Sequence, residues 1–241
     1  MSRDTLIIFA KPAEPGRVKT RLTGVLSEKQ AASLYSAFLR DLAVMLSEYR
    51  ARPTTDVELI LAHTGPADHA SFAAFRDRDF SLRAQRGPDL GARMGNMITE
   101  RLNAGCDRAV VIGSDSPTLQ HRHLDRAFQR LEESDVVLGP SFDGGYYLVG
   151  MDAPHTGLFA DIEWSTPRVL DQTMQHAEQA GLVYGLEEFW YDVDTPRDLY
   201  RLWYHLQHFR RTKDHPVAPE TYEQIATQLD DPKRIYDSDD Q

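Results

Sequence analysis

Lys11, Arg17, Lys19 and Arg21 crowd into eleven residues against Glu14 alone, in a chain of 241 residues whose formal net charge is -10. Four cations on one loop repel one another unless a polyanion sits between them, and phosphates are the usual metabolite polyanion that Arg and Lys bind. A solvated basic loop is the alternative reading. Three acidic turns supply the opposite charge: GSDSP with Asp115, PSFDGGYY with Asp143, and YDVDTP with Asp192 and Asp194. A hard divalent cation, Mg2+ or Mn2+, takes one or two carboxylates plus phosphate oxygens. Distant aspartates meeting beside the basic loop would therefore make a metal–nucleotide site. Each turn alone has an ordinary explanation, because Asp beside Ser, Pro or Gly stabilises turns and caps helices without a metal.

These residues need a scaffold that gathers them. Thr5 to Ala10 reads as a buried strand, and Pro12, Pro15 and Gly16 force a loop after it. Ser27 opens a helical pattern to about Tyr49, with Leu34, Phe38, Leu42 and Met45 on one face. Strands follow at 57–62, 82–85, 109–113, 136–138, 146–149 and 182–187, and helices at 67–75, 90–103, 121–132, 165–179 and 196–209. Pro196 suits the first position of the last helix. Alternating strands and helices predict a single α/β domain, a three-layer α/β/α sandwich around a mostly parallel mixed sheet, spanning 1–210. The acidic turns then fall at strand ends, where such folds build sites. Residues 211–241, rich in Pro and Asp, are expected to form a peripheral or partly disordered tail.

Composition narrows the partners. The hydrophobic content of 41% supports a full core, and no run approaches the roughly 18 apolar residues a membrane span requires. The short apolar stretch near the N-terminus has its basic residues after it, unlike a secretory signal. The single cysteine, Cys106, forms no internal disulfide and no cysteine-based zinc site, and a cytoplasmic protein is expected. The net negative charge disfavours nucleic acid and anionic membranes, whereas a small phosphorylated ligand needs only a local basic pocket.

Four segments, FAKPAEPGRVKTRL, DLGARM with VVIGSDSPTL, LGPSFDGGYYLVGM, and WSTPRVL with DVDTPRDL, together resemble the nucleotide-diphospho-sugar transferase superfamily, whose fold is called GT-A. Their order looks closest to a bacterial glycosyltransferase-like group associated with arsenosugar biosynthesis. More distantly, the chain is similar to 2-phospholactate and molybdenum-cofactor guanylyltransferases. The resemblance implies that Ala10, Lys11, Gly16, Arg17, Lys19 and Arg21 contact base and phosphates, with Lys19 neutralising phosphate charge. It implies Asp115 and Asp194 as ligands of Mg2+ or Mn2+, and Asp192 as a substrate contact. Asp143, Gly144 and Gly145 would border the sugar or acceptor, Asp143 serving as base for an acceptor hydroxyl. Gly91 and Arg93 would flank the nucleotide. Trp164 could stack on a sugar or base, and Arg168 could reach an anionic acceptor. The chain departs from relatives that carry a G-x-G-x-R loop or a D-x-D turn, and it has neither G-x-x-x-x-G-K-[ST] nor G-x-G-x-x-G.

The expected activity is metal-dependent transfer from a nucleotide-activated donor to a small acceptor. Glycosyl transfer from an NDP-sugar ranks first. Nucleotidyl transfer from an NTP with pyrophosphate release ranks second, and non-catalytic nucleotide binding third. His121 with His123, and His205 with His208, have metal-compatible spacings but no third ligand, and they read as exposed helix histidines. Most of Trp190, Tyr191, Trp203 and Tyr204 read as core.

Overall fold

The computed structural model describes residues 4–155, 157–212 and 216–229. Among these, seven strands form one sheet in the order β3-β2-β1-β4-β6-β5-β7. The strands are β1 (Asp4–Ala10), β2 (Val57–His63), β3 (Ser81–Ala84), β4 (Ala109–Ile112), β5 (Val136–Pro140), β6 (Tyr146–Met151) and β7 (Tyr184–Leu186). All run parallel except β6, which lies antiparallel between β4 and β5. The helices are α1 (Glu28–Arg50), α2 (Ala73–Arg76), α3 (Leu90–Asn103), α4 (His121–Arg130), α5 (Val169–Gln179), α6 (Pro196–Thr212) and α7 (Pro219–Gln228). None is long and apolar enough to cross a membrane.

Alternation along β1 explains the three layers. Leu6 and Ile8 join a core with α1, α2, α4, α6 and α7, whereas Ile7 and Phe9 point to the other face, with Met94, Met97 and Ile98 of α3 and Ala177 of α5. With both faces covered, the central strands read as continuous apolar runs rather than alternating ones. The expected sandwich and mostly parallel mixed sheet are thus present.

The predicted α1 begins where its capping box forms. The Ser27 hydroxyl accepts from Gln30 N, and the Gln30 side chain accepts from Ser27 N. Leu34, Phe38 and Leu42 are buried beneath it, each contributing about 1.5–3 kcal/mol. The helix expected over 165–179 starts only at Val169. Ser165 adopts φ +64°, a left-handed conformation that breaks a helical run.

Residues 213–215 and 230–241 of the expected tail lie outside the described residues. Between them, α7 packs on α1. It starts with Pro219, and α1 supplies its cap: Asp41 accepts from Glu220 N, Thr221 N and Thr221 Oγ1 at 3.1, 2.8 and 2.6 Å. Trp203 of α6 stacks on Tyr222, with centroids 5.1 Å apart.

Candidate functional site

The chain runs outward in both directions from β1 and β4, so a crevice opens at the carboxyl ends of these neighbours, the switch point of an open α/β sheet. The basic loop leaves β1 there, and GSDSP leaves β4 there. Val193 N donates to Asp115 O at 2.9 Å, which brings the YDVDTP segment across the same crevice.

Lys19 stands at the centre. Its backbone is left-handed, φ 50° and ψ 38°, a rare conformation for a side chain with a Cβ. The side chain points inward, only 2% exposed, and its Nζ meets the Asp115 carboxylate and, at 3.1 Å, Asp194 Oδ1. The rings of Tyr35 and Phe38 lie below it, with centroids 5.8 and 5.5 Å from Nζ. Burial works against the ammonium, but the two carboxylates outweigh burial and hold it protonated well above the usual lysine range. The motifs imply Lys19 on phosphate and the two aspartates on metal. The structure brings all three together.

The surroundings fix this triad. Tyr35 Oη lies 2.6 Å from Ser114 Oγ and accepts from Lys11 N at 3.3 Å, tying α1 to the strand end and the basic loop. Burial, with the Asp115 charge adding, pushes the Tyr35 phenol up to about 12. Ser116 Oγ donates to Asp192 Oδ1 at 2.6 Å. Half-buried Asp192 is pushed up to about 7, first by desolvation and then by Asp115.

Asp115 and Asp194 could hold a divalent cation on the outer side of the triad. Asp115 and Asp194 each keep 41% of the side chain exposed. Each binds Lys19 through Oδ1, and Oδ2 is the atom that could take a hard cation together with phosphate oxygens.

The remaining loop cations face solvent. Lys11 and Arg21 are exposed and make no ion pair with any described residue, and Arg17 touches only Glu14, at 3.3 Å. Gly16 provides the turn at φ +73°. Ala10 is buried, its carbonyl accepting from Thr64 N at 3.2 Å.

Gly144, at φ +89°, lies so close to the start of α5 that a Cβ would meet Pro167 O at 2.3 Å. Leu170 N closes the contact on Gly144 O at 2.9 Å. Asp143 is exposed, and its Oδ1 accepts from Ser141 Oγ and, at 3.0 Å, from Gly145 N. That carboxylate is therefore engaged in holding its own turn.

Gly91, Arg93, Trp164 and Arg168 lie with α3 and α5 rather than in the triad. Gly91 lies under Trp164, whose ring carbon would be 2.4 Å from a Cβ there. Arg93 Nε donates to Gly87 O at 3.0 Å, and exposed Arg168 pairs with Glu163 at 3.0 Å.

His121, His123 and His205 each have partners of their own. His121 Nε2 sits 3.0 Å from Met45 O. His123 is fully buried rather than exposed, and burial, with Arg122 beside it, lowers it to about 4. His205, lowered to about 4 by burial and His208, lies 2.7 Å from Tyr191 Oη. Trp190 separates these rings, with centroids 4.5 Å from His123 and 5.5 Å from His205.

Two features lie away from this chemistry. A cavity of about 330 Å3, lined by Asp4, Tyr49, Arg108, Asp125 and Glu132 among others, sits at the opposite, amino ends of β1, β2 and β4. Asp135, Asp152 and His155, which lie outside the motifs, bring their ligand atoms within 4.8 Å of one another beside the start of β5. There Asp135 Oδ2 already accepts from Val183 N at 2.7 Å.

Residues 45–166 match the family described as an uncharacterized protein conserved in bacteria, DUF2064. A crystal structure from Desulfovibrio desulfuricans G20, of a protein provisionally assigned as a nucleotide-diphospho-sugar transferase, is 31% identical. It covers 99% of this chain and 98% of its own, with a TM-score of 0.82. The 2-phospho-L-lactate guanylyltransferase of Methanopyrus kandleri is 26% identical over 189 residues, 78% of this chain and 85% of that protein. The 4-diphosphocytidyl-2C-methyl-D-erythritol synthase of Anaerococcus prevotii is 10% identical, covers 86% of this chain and 99% of its own, and at a TM-score of 0.57 shares the fold alone. These likenesses agree with the resemblance of the motifs to nucleotide-diphospho-sugar transferases and, more distantly, to 2-phospholactate guanylyltransferase.

Proposed function

The chain belongs to the bacterial family DUF2064, and we propose that it is a nucleotide-dependent transferase that joins the nucleotidyl group of an NTP to a small phosphorylated acceptor. The observation that carries this reading is the Lys19–Asp115–Asp194 triad at the switch point, flanked by the outward-facing Lys11, Arg17 and Arg21. Three exposed cations beside the triad suit the charge of a triphosphate. The similarity to a guanylyltransferase points the same way.

An acceptor phosphate oxygen would attack the α-phosphorus. The bond from that phosphorus to the oxygen bridging the β-phosphate would break, and pyrophosphate would leave. Arg21 would neutralise charge growing on the leaving group, and buried Lys19 would hold Asp115 and Asp194 in place beneath it. A divalent cation held by Asp115 and Asp194 would add Lewis-acid neutralisation at the phosphates. Tyr35 and Ser116 hold the two acidic segments in register, and Asp192 would contact substrate.

Glycosyl transfer from an NDP-sugar, ranked first on sequence, is the second reading, and the assignment of the Desulfovibrio protein favours it. It needs a base for the acceptor hydroxyl. Asp143 is the candidate for that base, its Oδ1 held by Ser141 and Gly145 while the side chain stays exposed.

The test is thermal shift against GTP, CTP and a panel of NDP-sugars, each with and without Mn2+, followed by pyrophosphate release. Ligand at 100 times its Kd stabilises by about 2.7 kcal/mol, a rise of roughly 5–10 °C for a chain of this size. A Mn2+-dependent rise with an NTP supports nucleotidyl transfer. A rise confined to one NDP-sugar replaces it with glycosyl transfer, and no rise with any nucleotide refutes both.

A further inference from the structure

The sheet order sets the basic loop after β1, Asp115 after β4, the DGG turn between β5 and β6, and Phe189 after β7. Nucleotide-binding groups and the β5–β7 side thus flank the triad from opposite directions. On that second side, the exposed rings of Phe142 and Phe189, 65% and 53% accessible, stack with centroids 5.6 Å apart and planes at 28°. Phe142 directly precedes Asp143 and follows Ser141, which bridges to Trp190. The guanidinium of Arg201 lies 5.8 Å from the Phe142 ring and 5.8 Å from the Tyr191 ring. One of its nitrogens binds Asp198 at 3.2 Å. From Arg201 the same face of α6 continues with Arg197, Tyr200 and Tyr204. Helix α6 begins two residues after Asp194, so this face starts close to the triad in the chain.

Two stacked phenyl rings left in water are unfavourable unless something covers them. The arginines favour an anion, and the phenyl faces favour an apolar or planar body next to it. Resting on the transferase reading above, we propose that Phe142, Phe189 and Arg201 form the acceptor subsite. It takes a small organic anion whose carboxylate or phosphate is attached to an apolar or planar body, the body lying on the phenyl pair and the anion facing Arg201.

The test uses the full chain and two probes, phenyl phosphate and methyl phosphate, with Kd from calorimetry or ligand-observed NMR. The expected result is at least tenfold tighter binding of phenyl phosphate. Phe142→Ala and Phe189→Ala should each erase that preference, Arg201→Gln should weaken both probes equally, and GTP binding with Mn2+ should stay within twofold in all three variants. Because the replaced residues are exposed, unchanged melting temperatures verify that the variants fold. Absence of the preference in the wild type, or its survival in both phenylalanine variants, overturns the subsite. So does sedimentation in which Phe142→Ala converts a dimer to a monomer while the preference persists, which would make the patch a contact between copies. Failure of the wild type to bind any nucleotide would instead bring down the transferase reading, and the phenyl preference is read without nucleotide.

Discussion

Replacing Lys19 with methionine keeps a buried stem against Tyr35 and Phe38 while removing the ammonium that joins Asp115 to Asp194. Removing one partner of a fully buried ion pair costs about 3–5 kcal/mol, and breaking an exposed pair costs about 0–1. Lys19 is buried, but 41% of each carboxylate side chain reaches solvent and can recover hydration. The expected loss is therefore intermediate, about 2 kcal/mol, or a fall of roughly 4–8 °C in Tm. Because the folded lysine is held above its ordinary value, its contribution is complete below the unfolded lysine range near 10.4 and fades only as pH rises beyond it. In the variant the two carboxylates face each other without a cation, so its deficit should shrink as pH falls through the carboxylate range. Mn2+ alone should stabilise the variant more than the wild type, since the pair no longer shares its charge with an ammonium. The assay is thermal melting of both proteins from pH 4 to 9, with and without Mn2+. Nucleotide turnover should fall about 10²–10³-fold. A variant with wild-type Tm, the wild-type response to Mn2+ and undiminished turnover would refute the role given to this triad.

Burial pushes the Asp41 carboxyl up to about 6. A group raised in the fold stabilises it below its unfolded value, and that contribution disappears as pH climbs through about 6. Denaturation by urea should show stability falling between pH 4 and 7, by at most about 3 kcal/mol. Asp41→Asn should flatten this slope, and an equal slope in both proteins would contradict the assignment. Gly144→Ala combines a left-handed backbone with a contact of 2.3 Å to Pro167 O and should cost about 2–4 kcal/mol, and Gly91→Ala, driven into Trp164, about 1–3. An unchanged urea midpoint for either would show that the turn or ring moves freely. Asp143→Asn preserves Oδ1 as acceptor for Gly145 N, so nucleotidyl turnover should stay within about tenfold of wild type. A loss of 10² or more would show that the reaction needs the Asp143 carboxylate and refute attack by a phosphate that requires no base.

Much of the fold is local in origin. The apolar run of β1, the Ser27–Gln30 capping box and the periodicity of α1 depend on residues a few positions apart, so their elements could be read directly. Helix α7 could not, because its amino end is satisfied by Asp41, 180 residues from Thr221. Nor could the antiparallel seat of β6 between β4 and β5, which depends on pairing with two strands rather than on any property of YYLVGM.

The candidate site divides in the same way. Residue types and loop chemistry along the sequence determined that a basic loop and three acidic turns would sit at strand ends, and hence that a polyanionic ligand was the chemistry to consider. Only the tertiary structure decided that Lys19 lies between Asp115 and Asp194, 175 residues from the latter, and that Asp143 holds its own turn. It also decided that Gly91 makes room for Trp164, and that Phe142 meets Phe189 beside Arg201. Turn and strand signals act over a few bonds, whereas charge pairing and ring stacking act through space between segments whose approach is set by the packed sheet.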